Sequence, residues 1–203
     1  MKNKFIKTFF LGLFFLGLFL KNSYSQNFQF LANELKLLDE GNILVGSNGV
    51  KITSKNQIIE ANSFEYDKTN LHLRLLGQIK IIDTLKNTII SGDKIDYFEN
   101  EEKFFTDGDV VIKIEDKYLI NSSNLTYFKK QEHFFSKEKS IFEDDIGNKF
   151  ELNKFDYFKL TNKIRGSKIK FTDIELNKYF INDAIIDLQT GKVVGKDIAI
   201  DFV

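Results

Sequence analysis

No cysteine and no proline occur in the 203-residue sequence, and histidine occurs only twice. Without cysteine there is no disulfide staple, no thiolate nucleophile or metal ligand, and no attachment point for a lipid anchor. Stability must therefore come from burial and backbone pairing alone. Without proline, nothing prevents any residue from donating its N–H to a sheet ladder. Long apolar runs are also scarce. The one present runs from Phe9 to Leu20, behind Lys2, Lys4 and Lys7 and ahead of small residues at Ser23 and Ser25. It falls short of the roughly 20 residues needed to span a bilayer. A basic start, a short apolar stretch and a small-x-small site form an export signal. Cleavage is expected after Ser25, so residues 1–25 are read as a signal peptide and 26–203 as one continuous domain. No later run is long enough for a membrane helix. Setting aside Lys2, Lys4, Lys7 and Lys21 leaves 25 basic residues against 29 acidic ones. That balance argues against nucleic acid as a partner, which would call for a basic face.

What is present is a repeat. Phe64-Glu65-Tyr66-Asp67 is followed about 30 residues later by Ile95-Asp96-Tyr97-Phe98. Leu125-Thr126-Tyr127-Phe128, Phe155-Asp156-Tyr157-Phe158 and Ile185-Ile186-Asp187-Leu188 continue the series. The second anchor falls at 66, 97, 127, 157 and 187. Two residues before the first anchor stands a polar residue: Asn62, Asp93, Ser123, Asn153 or Asp183. A charged or amide-rich turn follows the anchors. A third segment leads to Gly77, Gly108, Ser140, Gly166 or Gly195, and beyond it runs an alternating stretch such as Ile79-x-Ile81 or Val110-x-Ile112-x-Ile114.

Alternation with period 2 marks half-buried strands, and Ile, Val, Phe, Tyr and Thr favour them. Three short strands per copy predict about fifteen. No stretch holds a 3.6-residue period long enough for a helix, although residues 28–39 read as either a first strand or a short amphipathic lead-in. A steady period of this length implies stacking, with each copy burying its face on its neighbours.

On these residues the sequence resembles the OstA-like family of lipopolysaccharide transport, which includes LptA, the related fold of LptC and the periplasmic N-terminal domain of LptD. The matching features are a glycine followed by V-x-I or I-x-I, then an apolar residue, a small polar one, Φ-x-Tyr and a charged turn. Ile58 to Asp67 carries the pattern best, Ile89 to Tyr97 follows it well, and the likeness covers about residues 41–203. It implies an all-β fold, an open V-shaped β-jellyroll of about five stacked repeats whose trough takes the acyl chains of lipopolysaccharide. It also implies partners: lipopolysaccharide itself and other jellyroll proteins of the same system, joined through edge strands. The resemblance is nearest the N-terminal domain of LptD, which implies a continuation into an outer-membrane barrel. The missing cysteines depart from that pattern. The expectation is accordingly a fragment of such a protein, with a complete soluble bridge of the LptA type as the alternative.

An acyl chain offers no hydrogen bonds, so its site must be a dry apolar surface. Period 2 places Phe64 with Tyr66 on one sheet face, and likewise Ile95 with Tyr97, Leu125 with Tyr127 and Phe155 with Tyr157. Ile79, Ile81, Val110, Ile112, Ile169 and Phe171 are expected to form the facing wall. Periodicity alone would equally make these residues the filling of a closed sandwich or solenoid. Lys51, Lys80 and Lys113 alternate with the apolar positions and should face solvent. His72 and His133 have no ligand-spaced companions, so neither catalysis nor a metal or other cofactor is expected. The rival classes are a structural or adhesive cell-surface β-solenoid and a polysaccharide lyase on a β-helix.

Overall fold

The structure is a computed structural model, and it describes residues 28–201. The proposed signal peptide lies outside the described residues. Seventeen strands follow one another: β1 (Gln29–Leu38), β2 (Ile43–Ser54), β3 (Gln57–Ala61), β4 (Ser63–Asp67), β5 (His72–Asp83), β6 (Thr88–Phe98), β7 (Lys103–Thr106), β8 (Asp109–Ile114), β9 (Tyr118–Ser123), β10 (Thr126–Phe128), β11 (His133–Ser136), β12 (Ser140–Asp144), β13 (Lys149–Leu152), β14 (Lys154–Phe158), β15 (Lys163–Thr172), β16 (Lys178–Asp187) and β17 (Val193–Asp201). The ambiguous segment at the start is thus a strand. Helical structure among the described residues is confined to single 3-10 turns such as Glu99–Glu101 and Lys159–Thr161.

All the strands belong to one antiparallel sheet. Antiparallel pairing throughout excludes a coil of parallel strands, and with it the β-helix. The sheet is creased lengthwise into two arms that face each other, a β-jellyroll. One half of β2 pairs with β4 and the other half with β3; β5 divides in the same way between β4 and β3, and β6 between β7 and β8. We call the side holding β4, β7, β10, β11 and β14 arm A, and the side holding β3, β8, β9, β12 and β13 arm B. Long strands such as β5 and β15 cross both. Each repeat is therefore two passes over the full width, or four half-width segments, where the sequence pattern predicted three strands.

At the crease, the residue two before the first anchor bonds through its backbone to the neighbouring strand. Asn62 donates its N–H to Gly77 O at 2.8 Å, and Asn153 donates to Ser167 O at 3.1 Å. At Gly77 the backbone takes φ +72°, and a Cβ there would lie 2.6 Å from the Asn62 amide nitrogen. Only a residue without a side chain fits both demands. The register of β5 against β6 shifts between Leu76 and Ile79, a bulge that turns the strand from one arm to the other.

The core is the space between the arms, where 31 hydrophobic residues are buried in one cluster. The fifth copy departs from the expected frame. Ile164 pairs with Ile186, which places Ala184 and Ile186 inward, while Ile185 is exposed on the outside. The spacing slips by one residue because β16 must match β15.

Candidate functional site

The inner face of arm A carries a row of side chains that runs across the strands. Successive register partners are Leu37, Leu44, Tyr66, Leu73, Tyr97, Phe104, Tyr127, Phe134, Tyr157, Ile164, Ile186 and Val193. Arm B has a matching row: Phe30, Ile52, Ile59, Ile81, Ile90, Ile112, Ile120, Phe142, Phe150, Phe171, Tyr179 and Ile200. Each row is apolar for its whole length, and strands of the two arms stand opposite each other.

All the sequence-predicted groove residues lie between the arms. Phe64, Tyr66, Ile95, Tyr97, Leu125, Tyr127, Phe155 and Tyr157 belong to the arm A side, and Ile79, Ile81, Val110, Ile112, Ile169 and Phe171 to arm B. All are buried except Phe171, which is partly buried against the cluster. In this structure the arms are in contact. Phe30 stacks on Phe64 with centroids 4.9 Å apart, and Phe142 meets Tyr157 edge-on at 5.5 Å. Lys51, Lys80 and Lys113 point to solvent.

Several residues of the rows were not singled out from the sequence. Leu73, Phe104, Phe134 and Ile164 fill the rungs between the Φ-x-Tyr anchors. Their own spacing of about 30 residues was the available signal.

At both ends the rows come out from under cover. On arm A, Leu35 and Leu37 are 49% and 64% exposed at one end; on arm B, Ile198 and Ile200 are 51% and 48% exposed at the other. These four have inward register, opposite Gly46, Leu44, Ile181 and Tyr179 respectively. In the middle, hydroxyls along the crease are satisfied locally: Leu125 N–H donates to Thr106 Oγ1 at 2.9 Å, and Ser122 bonds Ser140 at 2.8 Å. The Tyr127 hydroxyl is buried without a partner. Burial pushes the phenols of Tyr66, Tyr97, Tyr127 and Tyr157 well above the usual tyrosine range. Tyr66 donates to Glu99 at 2.7 Å, and burial raises the Glu99 carboxyl despite that bond.

The histidines lie on the outer face of arm A. His72 stacks on Phe98 at 4.6 Å and bonds Asp96 at 2.7 Å; His133 stacks on Phe158 at 4.4 Å and bonds Asp156 at 2.9 Å. These are cross-strand pairs that stabilise the sheet. Among the described residues no group of three or more His, Asp or Glu side chains is placed to hold a metal ion.

The arrangement defines a class of protein: an antiparallel jellyroll with a continuous apolar core between its arms, whose rows are exposed at both ends. No protein-family model matches the chain, and no curated protein matches it. Among solved structures it is similar to the crystal structure of LptH, the LptA homologous periplasmic component of the conserved lipopolysaccharide transport device from Pseudomonas aeruginosa. The identity is 16% and the TM-score 0.49, over 54% of this chain and 80% of that one.

Proposed function

We propose that the chain is an exported, periplasmic carrier of lipopolysaccharide, with no catalytic step of its own. It holds the acyl chains between its arms and passes them towards the outer membrane. The observation that carries this reading is the pair of apolar rows that run the length of the sheet and surface at both ends. Burial contributes roughly 0.8 kcal/mol per CH₂, so an acyl chain gains affinity from any stretch of the path. A uniform path, unlike a single deep pocket, also lets the chain move on. Because β1 and β17 each pair on one side only among the described residues, a partner jellyroll can add its strand there and extend the rows. β17 carries only Lys196, Asp197 and Asp201 as edge protection.

This reading has two finer forms, the N-terminal part of an LptD-type protein and a free-standing LptA-type bridge. They share this chemistry and differ in the barrel partner; the mass of the native product in cells separates them.

The test places charge at the ends of the path, because Tyr97 and Tyr127 are core and charging them would test folding. Native mass spectra of the purified protein with lipopolysaccharide are compared for the parent and for Leu37→Asp/Ile200→Asp. We expect at least about tenfold weaker binding in the variant, because a carboxylate set against hydrocarbon costs more than the roughly 1.4 kcal/mol that tenfold represents. Ile185→Asp, on the outer face, should bind like the parent. If the folded parent takes up no lipopolysaccharide, the proposal fails and the interior is plain core.

A further inference from the structure

The edge of the fold opposite the crease is where the turns of the two arms meet, and its middle is bridged. Lys86 sits in the arm B turn between β5 and β6. Its ammonium donates to Lys129 O at 2.7 Å and pairs with Glu132 at 3.0 Å, both in the arm A turn between β10 and β11. Lys159, in the arm A turn after β14, returns the link. It pairs with Glu115 of the arm B turn between β8 and β9 at 3.0 Å, lies 3.7 Å from Glu132, and donates to the Lys86 carbonyl. Four turns are thus tied by two lysines and two glutamates. The Lys159 side chain is only 9% exposed and that of Lys86 17%. The Lys86–Glu132 pair, shielded on both sides, is screened far less by salt than surface pairs, and Glu115, at 43% exposed, keeps part of its hydration.

The ion pairs that join the arms among the described residues, Lys86–Glu132 and Lys159–Glu115, both sit here. Towards the ends the arms carry no such ion pair among the described residues, and there Leu35, Leu37, Ile198 and Ile200 are exposed. Burial alone would hold the arms together anywhere along their length. It would not choose the middle.

We propose that Lys86, Lys159, Glu115 and Glu132 form an electrostatic clasp that keeps the long mouth shut at its centre while both ends stay accessible. The clasp directs an apolar chain to enter and leave by the ends and opposes its escape sideways. In its consequence for cargo the proposal rests on the carrier reading; in its geometry it stands on the contacts themselves.

The absence of native cysteine makes the test direct. Asp116→Cys and Gln131→Cys in the full-length protein place spin labels on turns of opposite arms, and electron–electron distance measurements report the gap. With the clasp intact, the distance should be short and narrow. Lys86→Glu/Lys159→Glu should lengthen and broaden it. Adding Glu115→Lys/Glu132→Lys should bring it part of the way back, since the reversed ion pairs re-form while a carboxylate cannot donate to the Lys129 and Lys86 carbonyls. The double variant is checked for folding by circular dichroism. If it does not fold, Lys86→Gln and Lys159→Gln are measured singly, and each should widen the distribution. An unchanged distance in folded variants would overturn the clasp.

A second readout uses a fluorescent fatty acid as the probe. Its exit rate should rise several-fold in the opened variant and return part of the way in the charge-reversed one. Opening without any probe uptake in parent or variant leaves the clasp standing and removes the carrier reading instead. Uptake with an exit rate indifferent to opening overturns the clasp's proposed role.

Discussion

The four repeat tyrosines look equivalent in the sequence, yet the fold treats their hydroxyls differently. Tyr66 donates to Glu99, whereas the Tyr127 hydroxyl is buried without a partner. A buried polar atom with no partner costs about 1–3 kcal/mol, and a made hydrogen bond returns about 1 kcal/mol. Tyr127→Phe should therefore raise stability by about 1 kcal/mol. Tyr66→Phe should lower it by a similar or larger amount, because Glu99 loses its donor. Urea unfolding of both variants checks the contrast. Aromatic identity at these positions was plain in the sequence. The fate of each hydroxyl was not, because it depends on turns such as Glu99–Glu101 that fold back onto the rows.

At the scale of elements, the arm A turns share a backbone device. Leu71, Glu102, Glu132 and Asn162, the residues entering β5, β7, β11 and β15, all take left-handed φ near +50°. Side chains other than Asn and Gly are strained there by roughly 1–2 kcal/mol. Leu71→Asn should thus stabilise the protein by about 1 kcal/mol, read as a higher thermal midpoint without loss of lipid binding. The charged and amide-rich composition marked these segments as turns, but Leu and Glu at three of the four positions gave no sign of the left-handed backbone, which Asn or Gly would have announced. The same concealment affected β7 and β11. Lys103-Phe104-Phe105-Thr106 and His133-Phe134-Phe135-Ser136 carry a phenylalanine on each face of the sheet. Alternation of apolar and polar vanishes there, so the segments stood out less than Ile79-x-Ile81. What was legible was the thirty-residue period and the inward position of the Φ-x-Tyr anchors, because rows of contacts enforce both. The clasp was not legible, since its members stand up to 73 residues apart and meet only through the crease.

For the whole molecule, the buried phenols set an alkaline limit. Tyr66, Tyr97, Tyr127 and Tyr157 all titrate above their ordinary value of 10.0 when folded, chiefly through burial. Raised folded values mean that the native state keeps protons which the unfolded chain releases. Stability from this source is complete below pH 10 and falls as pH rises beyond it. Each deeply buried group contributes up to about 1.4 kcal/mol per pH unit, so Tyr97, Tyr127 and Tyr157 together approach about 4 kcal/mol per unit, with a smaller, solvent-screened share from Tyr66. The urea midpoint should hold steady between pH 8 and pH 9.5 and drop steeply by pH 11, with tyrosinate absorbance appearing together with unfolding. A midpoint that declined gently from pH 8 would show the phenols to be hydrated.

The rows cross the strands, and this turns the length of the interior into a matter of counting. Each copy of about 30 residues lays two rungs in each arm, and rungs stand about 4.8 Å apart. One more copy would lengthen the interior by roughly 10 Å without altering its width or its chemistry. The repeat number therefore acts as a ruler: gene duplication or loss of a copy can fit such a chain to a wider or narrower gap, with the cross-section left untouched.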